Sequence, residues 1–140
     1  MKQTATAQWY GNLKEGKGTL RTAGGTLADV SYSFQSRFEK GRGVNPEELL
    51  AAAHAVCFTM ALSAHLARDN VTAESIETTC SISLEQQPDG FAITESRLVV
   101  KARVPGATQA CFDKAVENAK TDCPVSKLYK TNIAVTAQLQ

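Results

Sequence analysis

One apolar segment with a sharply marked start constrains this sequence of 140 residues more than any other feature. Asn45 is a good helix N-cap and Pro46 suits the first helical position, with two glutamates following where the helix dipole favours negative charge. Residues 49–62 are almost all apolar or small, and only His54 and Thr59 interrupt them. This pattern predicts a long buried central helix that runs to about Arg68, where Asn70 can end it. The apolar run is too short and too interrupted to indicate a membrane span.

The overall composition is typical of a soluble globular protein, and we expect a single domain over residues 1–140. Fifteen basic and fourteen acidic residues give a net charge of +1, which argues against binding to nucleic acid or to an anionic membrane. The N-terminal residues lack the apolar stretch of a signal peptide. We therefore expect a cytoplasmic protein.

The rest of the chain alternates between strand and helix patterns. Strands are expected at 4–10, 18–22, 28–34, 75–85, 91–104 and 131–139, and two further helices at 108–121 and 122–129. The charged, glycine-containing residues 36–44 are expected to form a loop that leads into the central helix. The resulting order, β-β-β-α-β-β-α-α-β, predicts an α+β fold with largely antiparallel sheets packed on the central helix.

The four cysteines, Cys57, Cys80, Cys111 and Cys123, are too few for a disulfide-stapled scaffold and form no pair with metal-binding spacing. Cys123 precedes Pro124, which places it near a helix N-terminus where an anion is favoured. Cys57 lies about three turns inside its helix and lacks that help. It could be inert packing, could pair with His54 on the same helix side, or could be activated by a more distant charge. Cys80 is expected to be a small core residue, and Cys111 is expected to be structural or partly exposed.

A charge on Glu47 cannot reach Cys57 within one straight helix. The two residues are ten positions apart, or about 15 Å at 1.5 Å per residue. Two copies of the helix running antiparallel across a two-fold axis would bring the start of one near the middle of the other. Such a dimer would also bury the apolar helix, so we predict a homodimer.

Several motifs resemble those of the OsmC/Ohr family, and the osmotically inducible OsmC branch in particular. They are Arg-Phe-Glu at 37–39, Asn-Pro-Glu-Glu-Leu at 45–49, the His- and Cys-containing run at 51–62, and Cys-Pro-Val-Ser at 123–126. The resemblance implies an intertwined homodimer with shared active sites. It also implies that Cys57 is the peroxidatic cysteine and Cys123 the resolving cysteine. Arg37 and Glu47 are implied to act across the dimer, with Glu47 holding Arg37 in a bidentate pair.

The activity implied by the resemblance is the reduction of organic hydroperoxides and hydrogen peroxide to alcohols and water, in oxidative or osmotic stress defence. Cys57 would become a sulfenic acid, and Cys123 would condense with it to form an intramolecular disulfide. An external dithiol, such as a lipoylated protein, would reduce the disulfide, with no cofactor and no metal. Arg42 is a nearby rival to Arg37, and His54 is expected to be packing or to support the site indirectly.

Two alternatives belong to other classes of function. The same fold could serve as a thiol redox sensor or small-ligand-binding dimer without turnover, or as a purely structural dimer with inert cysteines. The joint presence of Cys57, Cys123, Arg37 and Glu47 favours the enzyme, because a binding protein could dispense with any of the four.

Overall fold

The computed structural model describes residues 1–140 as a mixed α+β structure. Its elements are β1 (Ala5–Tyr10), β2 (Lys17–Thr22), β3 (Val30–Tyr32), α1 (Phe34–Phe38), α2 (Pro46–Arg68), β4 (Ser75–Gln87), β5 (Gly90–Arg103), α3 (Gln109–Asp122), α4 (Pro124–Leu128) and β6 (Asn132–Leu139). The predicted α+β class is confirmed. The chain divides into two compact units, Met1–Leu49 and Leu50–Gln140, each with its own sheet. The single domain over 1–140 stays a prediction.

The first unit is built on the antiparallel sheet β1-β2-β3. The Trp9 and Tyr32 rings stack on one face of this sheet, with ring centres 5.4 Å apart. Gly18 lies opposite Tyr32 in the register, and a Cβ at this position would collide with the tyrosine ring. Most side chains of the sheet are exposed, so this unit has no closed apolar core.

The third strand is shorter than the predicted span of 28–34, because a short helix, α1, replaces its end. Ser33 and Ser36 cap this helix reciprocally: the Ser33 side chain accepts the Ser36 N–H, and the Ser36 side chain accepts the Ser33 N–H. Phe34 therefore leaves the strand face and packs against Phe38, with ring centres 4.9 Å apart. The expected loop over residues 36–44 was wrong at its start, because two serines three residues apart favour a helix cap.

Helix α2 begins and ends where the sequence predicts. The Asn45 side chain accepts the Glu48 N–H at 2.8 Å, and Asn70 adopts a left-handed conformation just after the helix end. Only one side of α2 is buried in the single chain, however, and it carries His54, Phe58, Leu62, His65 and Leu66. Val56 and Met60 on the other side are 61% and 68% exposed. The predicted burial on all sides is therefore not present within one chain.

By length and composition alone, α2 is long and apolar enough to cross a membrane. The prediction that its apolar run is too short for this was wrong. The fully buried, hydrogen-bonded imidazole of His54 on its inner side is nevertheless typical of a core helix in a globular protein.

The second unit is built on the sheet β4-β5-β6. Strands β4 and β5 pair antiparallel along their length, whereas β6 pairs parallel to β5, from Glu95 opposite Asn132 to Ala102 opposite Leu139. The expectation of antiparallel sheets was wrong for β6. Helices α3 and α4 form the crossover that a parallel strand pair requires, and this connection decides the direction of β6.

The apolar core of the second unit joins one side of α2 and α3 to one face of β5. Its members are Phe58, Leu62, Leu66, Leu98, Val100, Ala102, Val104, Phe112, Ala115, Val116 and Ala119. The buried side of α3 carries Phe112, Ala115, Val116 and Ala119, whereas Ala110 is exposed. This core fixes the middle of α2 and the start of α4, where the two motif cysteines lie.

Candidate active site

The two motif cysteines meet, although 66 positions separate them in the sequence. The Sγ atoms of Cys57 and Cys123 are 2.7 Å apart, and both residues are free thiols. Cys57 projects from the middle of α2 and is half-buried, whereas Cys123 is fully buried. Cys123 is both the C-cap of α3 and the N-cap of α4, because Pro124 cannot continue α3 but suits the first position of α4. The sharp turn between the helices brings the second thiol to the first.

The surroundings of Cys57 within one chain do not favour its thiolate. Burial raises the pKa of Cys57 above its ordinary value, and the hydrogen bond and charge of Cys123 raise it further. The backbone N–H of Val125, in the first turn of α4, donates to the Cys57 sulfur and lowers the pKa in part. The thiolate is the nucleophile in cysteine chemistry, so a nearby positive group would favour a reactive Cys57.

His54 is fully buried and bonded on both sides of its ring. Its Nδ1 lies 2.7 Å from the hydroxyl of Ser96 on β5, and its Nε2 lies 2.9 Å from the hydroxyl of Ser126 on α4. Burial lowers the pKa of His54, which favours the neutral ring. The pairing of His54 with Cys57, left open by the sequence, is not formed, because both ring nitrogens are engaged by serines.

Arg37 and Glu47 form a bidentate ion pair in the first unit. The Nε and Nη2 atoms of Arg37 donate to the two carboxylate oxygens of Glu47, at 3.2 and 2.7 Å. The guanidinium carbon also lies 5.1 Å from the centre of the Phe38 ring. Helix α1 supplies the arginine and the first turn of α2 the glutamate, so the pair implied by the family resemblance is present. Arg42 lies in the exposed segment between these helices and does not hold Glu47.

An open, mostly apolar hollow of about 320 Å³ lies beside this ion pair within the first unit. It is lined by Trp9, Leu13, Tyr32, Ser33, Phe34, Arg37, Phe38, Val44 and Pro46. The aromatic rings can contact an apolar group, while the arginine supplies the one positive charge of the lining. A hollow of this size suits a small organic molecule.

The remaining cysteines have no second thiol beside them. Cys80 is half-buried, with its sulfur 3.4 Å from the Ser96 hydroxyl, and burial raises its pKa. The Cys111 sulfur is 3.8 Å from a carboxylate oxygen of Asp69. The structure brings together no group of three or more His, Cys, Asp or Glu side chains able to hold a metal ion.

Sequence reasoning missed several groups at the site. They are the Val125 N–H, the Ser96 and Ser126 hydroxyls, and Tyr129, whose ring meets that of His54 edge-on with centres 5.0 Å apart. Two signals could have revealed part of this set. His54 is an isolated ring-bearing polar residue in an apolar run, and Ser126 closes the Cys-Pro-Val-Ser motif one helical turn after Cys123.

Comparison with known proteins places these features in one family. Residues 39–138 match the family model described as OsmC-like protein. The chain is 46% identical over 134 residues to Peroxiredoxin OsmC of Escherichia coli (strain K12), covering 96% of this chain and 94% of that protein. It is 35% identical over 100 residues to the Organic hydroperoxide resistance protein of Xanthomonas axonopodis pv. citri, covering 71% and 68%. The crystal structure of the organic hydroperoxide resistance protein OhrB of Bacillus subtilis matches with a TM-score of 0.72 at 26% identity, over 98% of both chains. This chain therefore belongs to the OsmC-like protein family.

Proposed function

We propose that this protein is a thiol-dependent peroxidase that reduces organic hydroperoxides and hydrogen peroxide in oxidative or osmotic stress defence. The observation that carries the proposal is the contact between Cys57 and Cys123, whose sulfur atoms are 2.7 Å apart. Relatives named Peroxiredoxin OsmC and Organic hydroperoxide resistance protein support the same chemistry.

The atoms and electrons of the oxidative half of the reaction balance between two thiols and one peroxide. The Cys57 thiolate attacks the terminal peroxide oxygen, the O–O bond breaks, and the departing oxygen takes a proton to leave as an alcohol or water. Cys57 is then a sulfenic acid. The Cys123 sulfur attacks the Cys57 sulfur, a disulfide forms, and the hydroxyl of the sulfenic acid leaves as water with the proton of Cys123. The two thiols have supplied the two electrons that the peroxide received.

We further propose that the active site is completed in a homodimer by the partner subunit's Arg37, held by the partner subunit's Glu47. Burial raises the pKa of Cys57, so the nucleophile requires a nearby cation. The fork of Arg37 on Glu47 orients such a cation and leaves Nη1 free for a peroxide oxygen. The exposed apolar side chains Val56 and Met60 on α2 support a covering partner chain.

The proposed reductant is an external dithiol, such as a dihydrolipoyl group on a carrier protein. A dithiol restores both cysteines by two successive exchanges and leaves as a cyclic or internal disulfide. Cys57 is the half-buried member of the pair, so its sulfur is the more accessible point of attack. The four free cysteines suit a reducing compartment, and we propose the cytoplasm.

The proposal is tested by peroxide consumption with dihydrolipoamide or thioredoxin as reductant, using cumene hydroperoxide, tert-butyl hydroperoxide and hydrogen peroxide. Cys57→Ser should abolish turnover, and Cys123→Ser should leave a sulfenic acid that dimedone traps. Cys111→Ser is the matched control, because this thiol lies beside Asp69 and away from the pair. Full activity of Cys57→Ser would refute the proposal, and a single stoichiometric oxidation without turnover would indicate a redox sensor.

A further inference from the structure

Helix α4 cannot hold its position by itself. It has five residues, Pro124–Leu128, and helices this short are unstable without tertiary contacts. Cys123 is the N-cap of α4 and also the C-cap of α3, so the position of α4 contributes to where the second thiol lies. The groups that fix α4 therefore influence the step in which the disulfide forms.

Side chains at both ends of α4 are tied to one face of α2. Cys123 meets Cys57 at its start, the Ser126 hydroxyl bonds His54 in its middle, and just after its end the Tyr129 hydroxyl donates to the Leu50 carbonyl at 2.8 Å. Positions 50, 54 and 57 are spaced by four and three residues, which places them in one row along the helix. Of these three contacts, only the one with His54 joins α4 to an α2 side chain that is also hydrogen-bonded to the sheet.

The anchor of His54 is the sheet of the second unit. Its Nδ1 is 2.7 Å from Ser96, a fully buried residue of β5, and the Ser96 hydroxyl lies 3.4 Å from the Cys80 sulfur. A neutral imidazole donates from one nitrogen and accepts at the other, while a serine hydroxyl can do either. The ring therefore connects β5 to α4 through two hydrogen bonds, and no buried side-chain nitrogen or oxygen atom lacks a partner.

We propose that His54 is a positioning residue for the resolving cysteine, holding α4 through Ser126 so that Cys123 stays in contact with Cys57. This inference rests on the proposed peroxidase function. A sulfenic acid on Cys57 has two fates: it condenses with Cys123, or a second peroxide oxidises it to a sulfinic acid. His54 thus sets the ratio between these fates and has no direct part in the attack on the first peroxide.

The test separates the two steps by rapid mixing of the reduced protein with cumene hydroperoxide, followed by mass spectrometry of quenched samples. His54→Phe keeps a ring of similar size without its hydrogen bonds, and Ser126→Ala removes the same contact from the other side. In both variants disulfide formation should slow about tenfold, which corresponds to about 1.4 kcal/mol in the activation free energy. Oxidation of Cys57 should slow much less than disulfide formation, because α4 bears on that step only through the Val125 N–H. The sulfinic fraction at high peroxide should rise.

Thr59→Val is the matched control. Thr59 also lies on α2 and bonds the sheet, with its hydroxyl 2.7 Å from that of Thr78, but it does not bond α4. This variant should keep wild-type rates in both steps. His54→Gln should recover part of the lost rate, because its amide can donate to one serine.

Disulfide formation at the wild-type rate in folded Ser126→Ala and His54→Phe would overturn the inference. So would an equal slowing of both steps, which indicates a general loss of structure. If His54→Phe does not fold, the Ser126→Ala result decides. These outcomes are distinct from failure of the proposed function, which would appear as peroxide consumption that survives Cys57→Ser.

Discussion

The two units of the chain differ in what they can do alone. The second unit has a closed core around Phe58, Leu98 and Phe112, and it brings two thiols into contact. The first unit exposes most of its sheet, and Leu13 in the connection between β1 and β2 is 68% exposed. This unit also holds an arginine in a bidentate ion pair. The second unit therefore contains the two paired thiols, and the first contains a guanidinium oriented by a carboxylate.

This difference supports the proposal that the active site is completed in a homodimer. Burial raises the pKa of Cys57, and the Val125 N–H lowers it only in part. The exposed apolar side chains of the first unit and of α2 are of the kind that an oligomer covers. We therefore expect the first unit of one protomer to complete the second unit of another.

The largest expected effect comes from separating the two halves of the site by mutation. Arg37→Met removes the cation and should lower peroxidase activity about 100-fold or more, because it removes a charged donor at the reacting centre. Cys57→Ser should be inactive. Heterodimers of the two variants, obtained by co-expression with different tags, should contain one intact site if the site is shared between chains.

Random assembly of the two variants should restore about a quarter of wild-type activity, because half of the dimers are mixed and each has one working site. Co-assembled chains that carry both substitutions in the same protomer are the control. The absence of any recovery would refute a site shared between chains and would indicate that Arg37 acts within its own chain.

The second prediction contrasts the packing of the units. Phe112→Ala should lower the free energy of unfolding by about 3–5 kcal/mol, because Phe112 is fully buried between helix and sheet. Leu13→Ala should change it by less than about 0.5 kcal/mol, because Leu13 is exposed. Urea unfolding of both variants provides the measurement. Equal losses would show that the first unit is covered as completely as the core.

Local signals were sufficient for most of the second unit. Period-two alternation located β4, and the turn signals on either side located β5. The Asn45 cap and the Asn70 stop located α2. The direction of β6 could not be predicted from local sequence patterns, because it depends on the crossover through α3 and α4. In the first unit, α1 was missed because five residues are too few to show helical periodicity.

The residues of the candidate site that belong to sequence motifs could be predicted, whereas those that join it through long-range contacts could not. Cys57 and Cys123 were identified from their motifs, and the structure shows their sulfur atoms in contact. The bonds from His54 to Ser96 and Ser126 join residues 42 and 72 positions apart, which no spacing rule relates. Arg37 and Glu47 pair as the family resemblance implies, but their catalytic role stays a prediction.

The third prediction concerns pH and the second unit alone. Burial lowers the pKa of His54 below its ordinary value of 6.5. Below that pH the unfolded chain therefore binds a proton that the folded chain does not, and stability falls as the pH falls. The slope is at most about 1.4 kcal/mol per pH unit for one proton. Gln cannot titrate, so the free energy of unfolding of His54→Gln should fall less steeply than that of the wild type as the pH is lowered from 7. Urea unfolding at several pH values provides the measurement, and parallel curves for the two proteins would contradict the prediction.

The smallest expected effect compares one helix cap in each unit. Asn45 caps α2 and also donates from Nδ2 to the Ser36 carbonyl of α1 at 3.4 Å, whereas Thr108 caps α3 alone by accepting the Cys111 N–H. Asn45→Ala and Thr108→Ala should each lower the free energy of unfolding by about 1 kcal/mol. Only Asn45→Ala should also lower peroxidase activity, because α1 carries Arg37 and loses a contact that orients it. An equal effect of both variants on activity would show that stability, and not the placement of Arg37, limits the enzyme.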